Sequence, residues 1–372
     1  MSGFGADSEC FKGERRPTDW QDRRVGISGA ALSGAYYDQV VGPAVAAHWP
    51  GLPYAAGRLG GGSDVLGFDD TVSQDHDWGL RLNLLVPLDI AEQVDAHLAR
   101  SLPDAFGGHP TRFATTWDPR VRHRVQVEDV RTFVASLTGL DTSGSWSVGD
   151  WLSLTGQAVL EVRAGPVFAD TAGVLTAIQE RLTWYPHDLW TYVVATDWAR
   201  LAQELPFIGR AAERGDDLGS RVITSRLVSV AVHLAHMLER RWPPYAKWSG
   251  TSLGRLPRAG ATVRSLTRAV DANEWRVREA ALVDGLRALH RLQREVGLPG
   301  VDDPVEPFWD RRYQGIREEV MVWLEASVTD EAVRSLPRGV GSAEQWTSNV
   351  DVLVNHTRRL PSRTNGDEPK SP

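Results

Sequence analysis

Residues 60–79, GGGSDVLGFDDTVSQDHDWG, hold the side chains best suited to chemistry. The pair Gly62-Ser63 leaves backbone N–H groups unobstructed, and the hydroxyl adds a further donor. Such a turn suits the oxygens of a polyphosphate. Asp75 and Asp77 follow shortly afterwards, two residues apart. On a strand that spacing puts both carboxylates on one face, where they can share a hard divalent ion. The opposite face would carry His76, Trp78, Leu80, Leu82, Leu84 and Val86, a stripe apolar enough to anchor the strand.

The surrounding pattern supplies elements to position these residues. Residues 30–48 carry helical spacing, with Leu32, Tyr36, Val40 and Val41 on one side. Residues 54–59 read as a short strand running into the glycines, 75–86 as a half-buried strand, and 89–101 as a helix. Residues 123–130 (HRVQVEDV) read as another strand, with a helix from about 131. Beyond Asp141–Gly149 the pattern becomes helical over 146–160, 171–182, 187–206, 217–241, 263–295 and 308–328. The expectation is an α/β (α+β) unit with a mixed sheet over 26–145, followed by a mainly α-helical part over 146–360. Residues 1–25 and 361–372 are polar and unpatterned and are expected to be disordered.

Composition excludes several classes. The chain has 372 residues, a net charge of −7 and a pI near 5.8, which argues against a broad nucleic-acid-binding face. Its one cysteine, Cys10, can form neither an internal disulfide nor a cysteine-based zinc site. No apolar run approaches the roughly 18–20 residues needed to span a bilayer, and no apolar signal core opens the chain. A soluble, cytoplasmic protein with no membrane partner is expected. His233 and His236 lie three apart on a helix, but a zinc site would need further ligands. In ERRWPPYAKW (239–248), Arg240, Arg241 and Lys247 interleave with Trp242, Tyr245 and Trp248 around a double proline. A basic helix end is favourable on dipole grounds alone, and Lys247 is also a candidate phosphate contact.

The order Gly-Ser, three residues, Gly, then Ser and Asp-x-Asp resembles the signature of the polymerase-β-type nucleotidyltransferase superfamily. It falls on Gly62, Ser63, Gly67, Ser73, Asp75 and Asp77. The chain resembles more closely the bacterial proteins of the domain of unknown function 4037 family. The segments that carry this are 50–79, Trp184–Trp190, GDDLGSRV (215–222) and ERRWPPYAKWSG (239–250). The resemblance implies a nucleotidyltransferase-like α/β domain in which Asp75 and Asp77 are catalytic and hold Mg²⁺ or Mn²⁺. Gly62, Ser63 and Ser73, with Lys247, would bind a nucleoside triphosphate. It also implies a third carboxylate from a later strand. In 123–130 the family's acid falls at 126, where this chain has Gln, and Glu128 on the same face takes the role; Glu161 and Asp170 are next in line.

The implied activity is transfer of a nucleoside monophosphate from a triphosphate to a hydroxyl of a small-molecule acceptor, seated between the α/β and helical parts. The acidic balance would suit a cationic acceptor. Gln126 favours a second reading, a nucleotide-binding regulatory or antitoxin-like protein with a protein partner and weak or no catalysis.

Overall fold

The structure is a computed structural model that describes residues 27–70 and 78–362. Four short strands form its main sheet: β1 (Ala55–Gly57), β2 (Leu82–Leu85), β3 (Val125–Glu128) and β4 (Val167–Asp170), in the order β3-β2-β1-β4. The sheet is mixed. β1 is antiparallel to β2 and to β4, whereas β2 and β3 run parallel, with Leu82 beside Val125 and Leu85 beside Glu128. Parallel neighbours need a crossover, and here it contains helix α2 (Ala91–Ser101).

Both faces of the sheet are covered, and β2 shows this in its sequence: all four of its residues are buried. Leu80, Leu82, Leu84 and Val86 pack with α2 and with an N-terminal helical run that starts as α1 (Gly29–Tyr36), passes through a π turn and ends at His48. That is the apolar stripe read from the sequence. Ala55 and Leu85 belong instead to a second, larger core shared with helices on the other face. These include α3 (Val130–Thr138), α4 (Gly156–Arg163), α5 (His187–Glu204), α6 (Asp217–Leu238), α7 (Ala246–Gly254), α8 (Gly260–Asp271), α9 (Trp275–Glu295) and α10 (Glu318–Ser327). In that core Trp190 donates its indole N–H to the Met237 carbonyl at 2.8 Å and Trp198 to Gln293 Oε1 at 2.6 Å.

Several features differ from the sequence pattern: among the described residues the strand read over 75–86 is a strand only at Leu82–Leu85, and the helical pattern over 263–295 is two helices, α8 and α9. The fourth strand, β4, comes from beyond residue 145, where the α/β unit was expected to end. Four residues are too few to show alternation, so only pairing with β1 defines it. Residues 105–123 form two small hairpins. The first turns on Gly107 and Gly108, both at positive φ (+57° and +82°), as a tight hairpin turn requires. The expected helix over 308–328 is in fact a hairpin, Val305–Pro307 with Gln314–Ile316, followed by α10. No helix among the described residues is long and apolar enough to cross a membrane. The sequence-assigned ends, 1–25 and 361–372, lie almost wholly outside the described residues.

Candidate active site

The chain leaves β1 through Arg58, whose guanidinium is 1% exposed. A buried cation must be paired, and Asp64 meets it on two edges, Nε to Oδ2 at 2.6 Å and Nη2 to Oδ1 at 2.8 Å. The remaining donors reach the carbonyls of Leu59 (2.6 Å) and Gly61 (3.1 Å). One side chain thus ties both ends of the Gly60–Ser63 turn. Gly62 has φ +145°, and a Cβ there would fall 2.2 Å from Asp64 Oδ1 and 2.6 Å from Arg58 Nη2. Only glycine fits both the backbone and the space. The turn is also held from outside: Leu59 N–H donates to Asn83 Oδ1 at 2.9 Å, and Gly60 N–H to the Glu161 carbonyl at 2.7 Å.

This turn forms one wall of a cavity of about 640 Å³ lined in part by Gly62, Ser63, Trp78, Arg81, Glu161 and Lys247. Lys247 comes from far along the chain. After α6 ends, Pro243 and Pro244 rule out further helix, and Pro243 lies so close to α4 that a Cβ on Gly156 would meet its carbonyl at 2.2 Å. Tyr245 N–H donates to Gln157 Oε1 at 3.2 Å. Docked this way, the segment starts α7 with exposed Lys247 facing the cavity, its Nζ 5.0 Å from the Trp248 ring centroid. Trp117, exposed at the tip of the second hairpin, brings its ring to the same cavity, 4.8 Å from the Arg81 guanidinium.

Among the described residues, Glu161 supplies the carboxylate at this cavity that is not already committed to Arg58. It sits on α4, 7% exposed, with Oε1 accepting from Gln157 Nε2 at 2.9 Å. Burial pushes its carboxyl above the usual range, against the opposing pull of Gln157, Arg81 and Arg359. Such a group gains most from an incoming cation.

Of the residues singled out from the sequence, Gly62, Ser63 and Lys247 are brought together here. Ser73, Asp75 and Asp77 lie outside the described residues. Glu128 does not line the cavity. It pairs with Leu85, whereas the cavity opens at Arg81, at the other end of β2. Its carboxylate accepts from Gln126 Nε2, and burial raises it. Asp170 is occupied as well, accepting from Thr176 N–H and Oγ1 at 2.7 and 2.8 Å. Arg81, Trp117 and the Arg58–Asp64 clamp were not anticipated. Arg81 had a legible signal, since it continues the alternation of Asp75 and Asp77; Trp117 had none.

His233 and His236 are engaged in the helical core. His233 bonds Asp197 and Glu344, and His236 donates Nδ1–H to the Val232 carbonyl and pairs through Nε2 with Ser252 Oγ.

The architecture is that of a mixed α/β protein, with a glycine turn from the central strand facing a helical part across a cleft. Within it, residues 151–249 match the family model described as Domain of unknown function (DUF4037). That span holds Glu161 and Lys247, the helical side of the cavity. Among solved structures the chain is similar to a nucleotidyltransferase-like protein from Exiguobacterium sibiricum 255-15. The identity is 14%, covering 71% of this chain and 80% of that one, with a TM-score of 0.31. No curated protein matches.

Proposed function

We propose that the protein is a metal-dependent nucleotidyltransferase, moving a nucleoside monophosphate from a triphosphate to a hydroxyl of a small-molecule acceptor. The observation that carries this is the convergence of the Gly62-Ser63 turn and Lys247 on one cavity. Unobstructed N–H groups, a hydroxyl and an ammonium are a polyphosphate-binding set. Asp77 is bonded to Trp78, which lines that cavity. Asp75 and Asp77 would hold Mg²⁺ or Mn²⁺, and Glu161, a hard oxygen donor whose charged form is disfavoured by burial, fits the third carboxylate better than Glu128. When bound, the metal would neutralise phosphate charge and lower the pKa of the attacking hydroxyl. Lys247 and the turn would orient the triphosphate, and Trp117 or Trp248 would offer a stacking surface for the base. A cytoplasmic setting fits the single cysteine.

The test is a panel of triphosphates with Mg²⁺ or Mn²⁺, following pyrophosphate release and thermal stabilisation. A native-state ligand raises the melting temperature by mass action. Asp75→Asn combined with Asp77→Asn should remove that rise and leave the apo protein at least as stable. A double variant that responds like the parent refutes the assignment.

Gln126, at the strand position where the resemblance implies an acid, favours a second reading, a nucleotide-binding regulatory protein with little catalysis. Triphosphate-dependent stabilisation without pyrophosphate release, with release raised by Gln126→Glu, would support it.

A further inference from the structure

Behind the segment 66–68 lies a second cavity, of about 390 Å³, which shares Leu66 with the first. The partition is firm: Phe68 stacks on Trp248 with centroids 5.1 Å apart, and Arg255 donates to the Gly67 carbonyl at 2.9 Å. Four arginines line this second cavity, Arg163, Arg240, Arg241 and Arg255, and among the described residues no Asp or Glu does. Arg163 donates to Thr183 Oγ1 at 3.2 Å, but its buried Nε has no partner among the described residues. Neither Arg163, Arg240 nor Arg241 forms an ion pair with a described carboxylate. Burial, then the charge of Arg241, pulls the Arg163 guanidinium below its ordinary value.

The backbone adds an independent observation. α6 ends in a turn where Arg240 adopts φ +52°, with Arg240 and Arg241 N–H groups returning to the Met237 and His236 carbonyls at 3.1 and 2.9 Å. Helices commonly end in this left-handed conformation, but the residue there is usually glycine. A side chain kept at such a position against its backbone preference is a pointer to a role for that side chain. Here the turn brings two arginines in succession to the cavity wall. Arg240 also lies 4.2 Å over the Trp190 ring, which limits its freedom.

Guanidinia gathered without a described carboxylate, as those of Arg163, Arg240 and Arg241 are, repel one another unless an anion joins them, and their planar forks match phosphate oxygens. We infer that this second cavity is a phosphoryl-anion subsite, and that it takes a phosphate ester carried by the acceptor beside the nucleotide pocket. The cationic acceptor suggested by net charge would not fill it. The acceptor assignment rests on the nucleotidyl-transfer reading; the anion site does not.

Calorimetric titration of the full chain with inorganic phosphate tests the site. Arg241, being exposed, can be changed with little risk to folding, so Arg241→Ala should weaken binding at least about tenfold, the scale of a charge-assisted hydrogen bond. Arg163→Gln should weaken it too, and rising salt should weaken binding by the parent chain. Binding unaffected by both arginine changes, or none at millimolar phosphate, would overturn the inference. Phosphate bound together with Mg²⁺ and a triphosphate supports the acceptor as its source. Mutual exclusion would instead mean that the nucleotide's own phosphates occupy the cavity, overturning the acceptor assignment. Arginine-dependent phosphate binding in a protein that releases no pyrophosphate from any triphosphate leaves the subsite standing and removes the transferase reading.

Discussion

Asp64→Asn strips the charge from the one carboxylate that faces Arg58 while preserving shape. Arg58 is 1% exposed and Asp64 7%, so solvent cannot screen the loss. The two carbonyls bonded by Arg58 remain, but they carry no compensating charge. Removing one partner of a buried ion pair costs about 3–5 kcal/mol, because the other charge stays desolvated. Set against a total stability of ~5–15 kcal/mol, that is a large fraction. For cooperative unfolding of a chain this long it corresponds to a drop in melting temperature of about 4–6 °C. The assay is thermal unfolding of the parent, Asp64→Asn, Arg58→Leu and the Arg58→Leu/Asp64→Leu double variant. The double variant should cost clearly less than the sum of the singles, since no unpaired charge remains. Asp64→Asn should also weaken triphosphate binding, because the clamp shapes the turn. An Asp64→Asn protein that melts within a degree of the parent would refute the clamp.

Other outcomes follow from the same geometry. Gly62→Ala places a Cβ 2.2 Å from Asp64 Oδ1 at φ +145°, so ~1–3 kcal/mol of strain and loss of triphosphate-induced stabilisation are expected by thermal shift. Lys247→Ala should leave the melting temperature of this exposed site unchanged and raise the triphosphate Kd about tenfold, read by calorimetry. Glu161→Gln should keep or raise apo stability, because a carboxyl raised by burial no longer has to ionise, while Mg²⁺-dependent pyrophosphate release falls steeply. His233 is opposed by burial but carried up to about 10 by Asp197 and Glu344. A raised folded-state value gives stability fully present below the unfolded value near 6.5 and lost as pH rises through about 10. The parent should therefore lose more melting temperature between pH 7 and 10 than His233→Gln does.

Much of the frame was legible because period alone carries it. Alternation at Leu80, Leu82, Leu84 and Val86 marked a strand with one wholly apolar face, and that face is buried against α1 and α2. Helical spacing found α2 and α5, and α6 to within a few residues of its end. Gly107-Gly108 was a readable hairpin signal that the helical and strand runs on either side obscured. The strand β4 was not readable: VFAD has no periodicity, and it is a strand only because β1 offers it hydrogen bonds.

At the candidate site the division is similar. Residue type and local spacing determined that Gly62-Ser63 forms a tight turn, that the double proline ends a helix, and that Lys247 follows it. These are consequences of backbone sterics within a few residues. Which distant groups meet was decided only by tertiary packing. Gly156 admits Pro243 against α4, which carries Lys247 to the turn; the register of β2 with β3 leaves Glu128 at the far end from Arg81, and α4 brings Glu161 in its place. A spacing rule reaches along one element, whereas a carboxylate's place opposite a turn depends on how elements far apart in the chain pack around a common core.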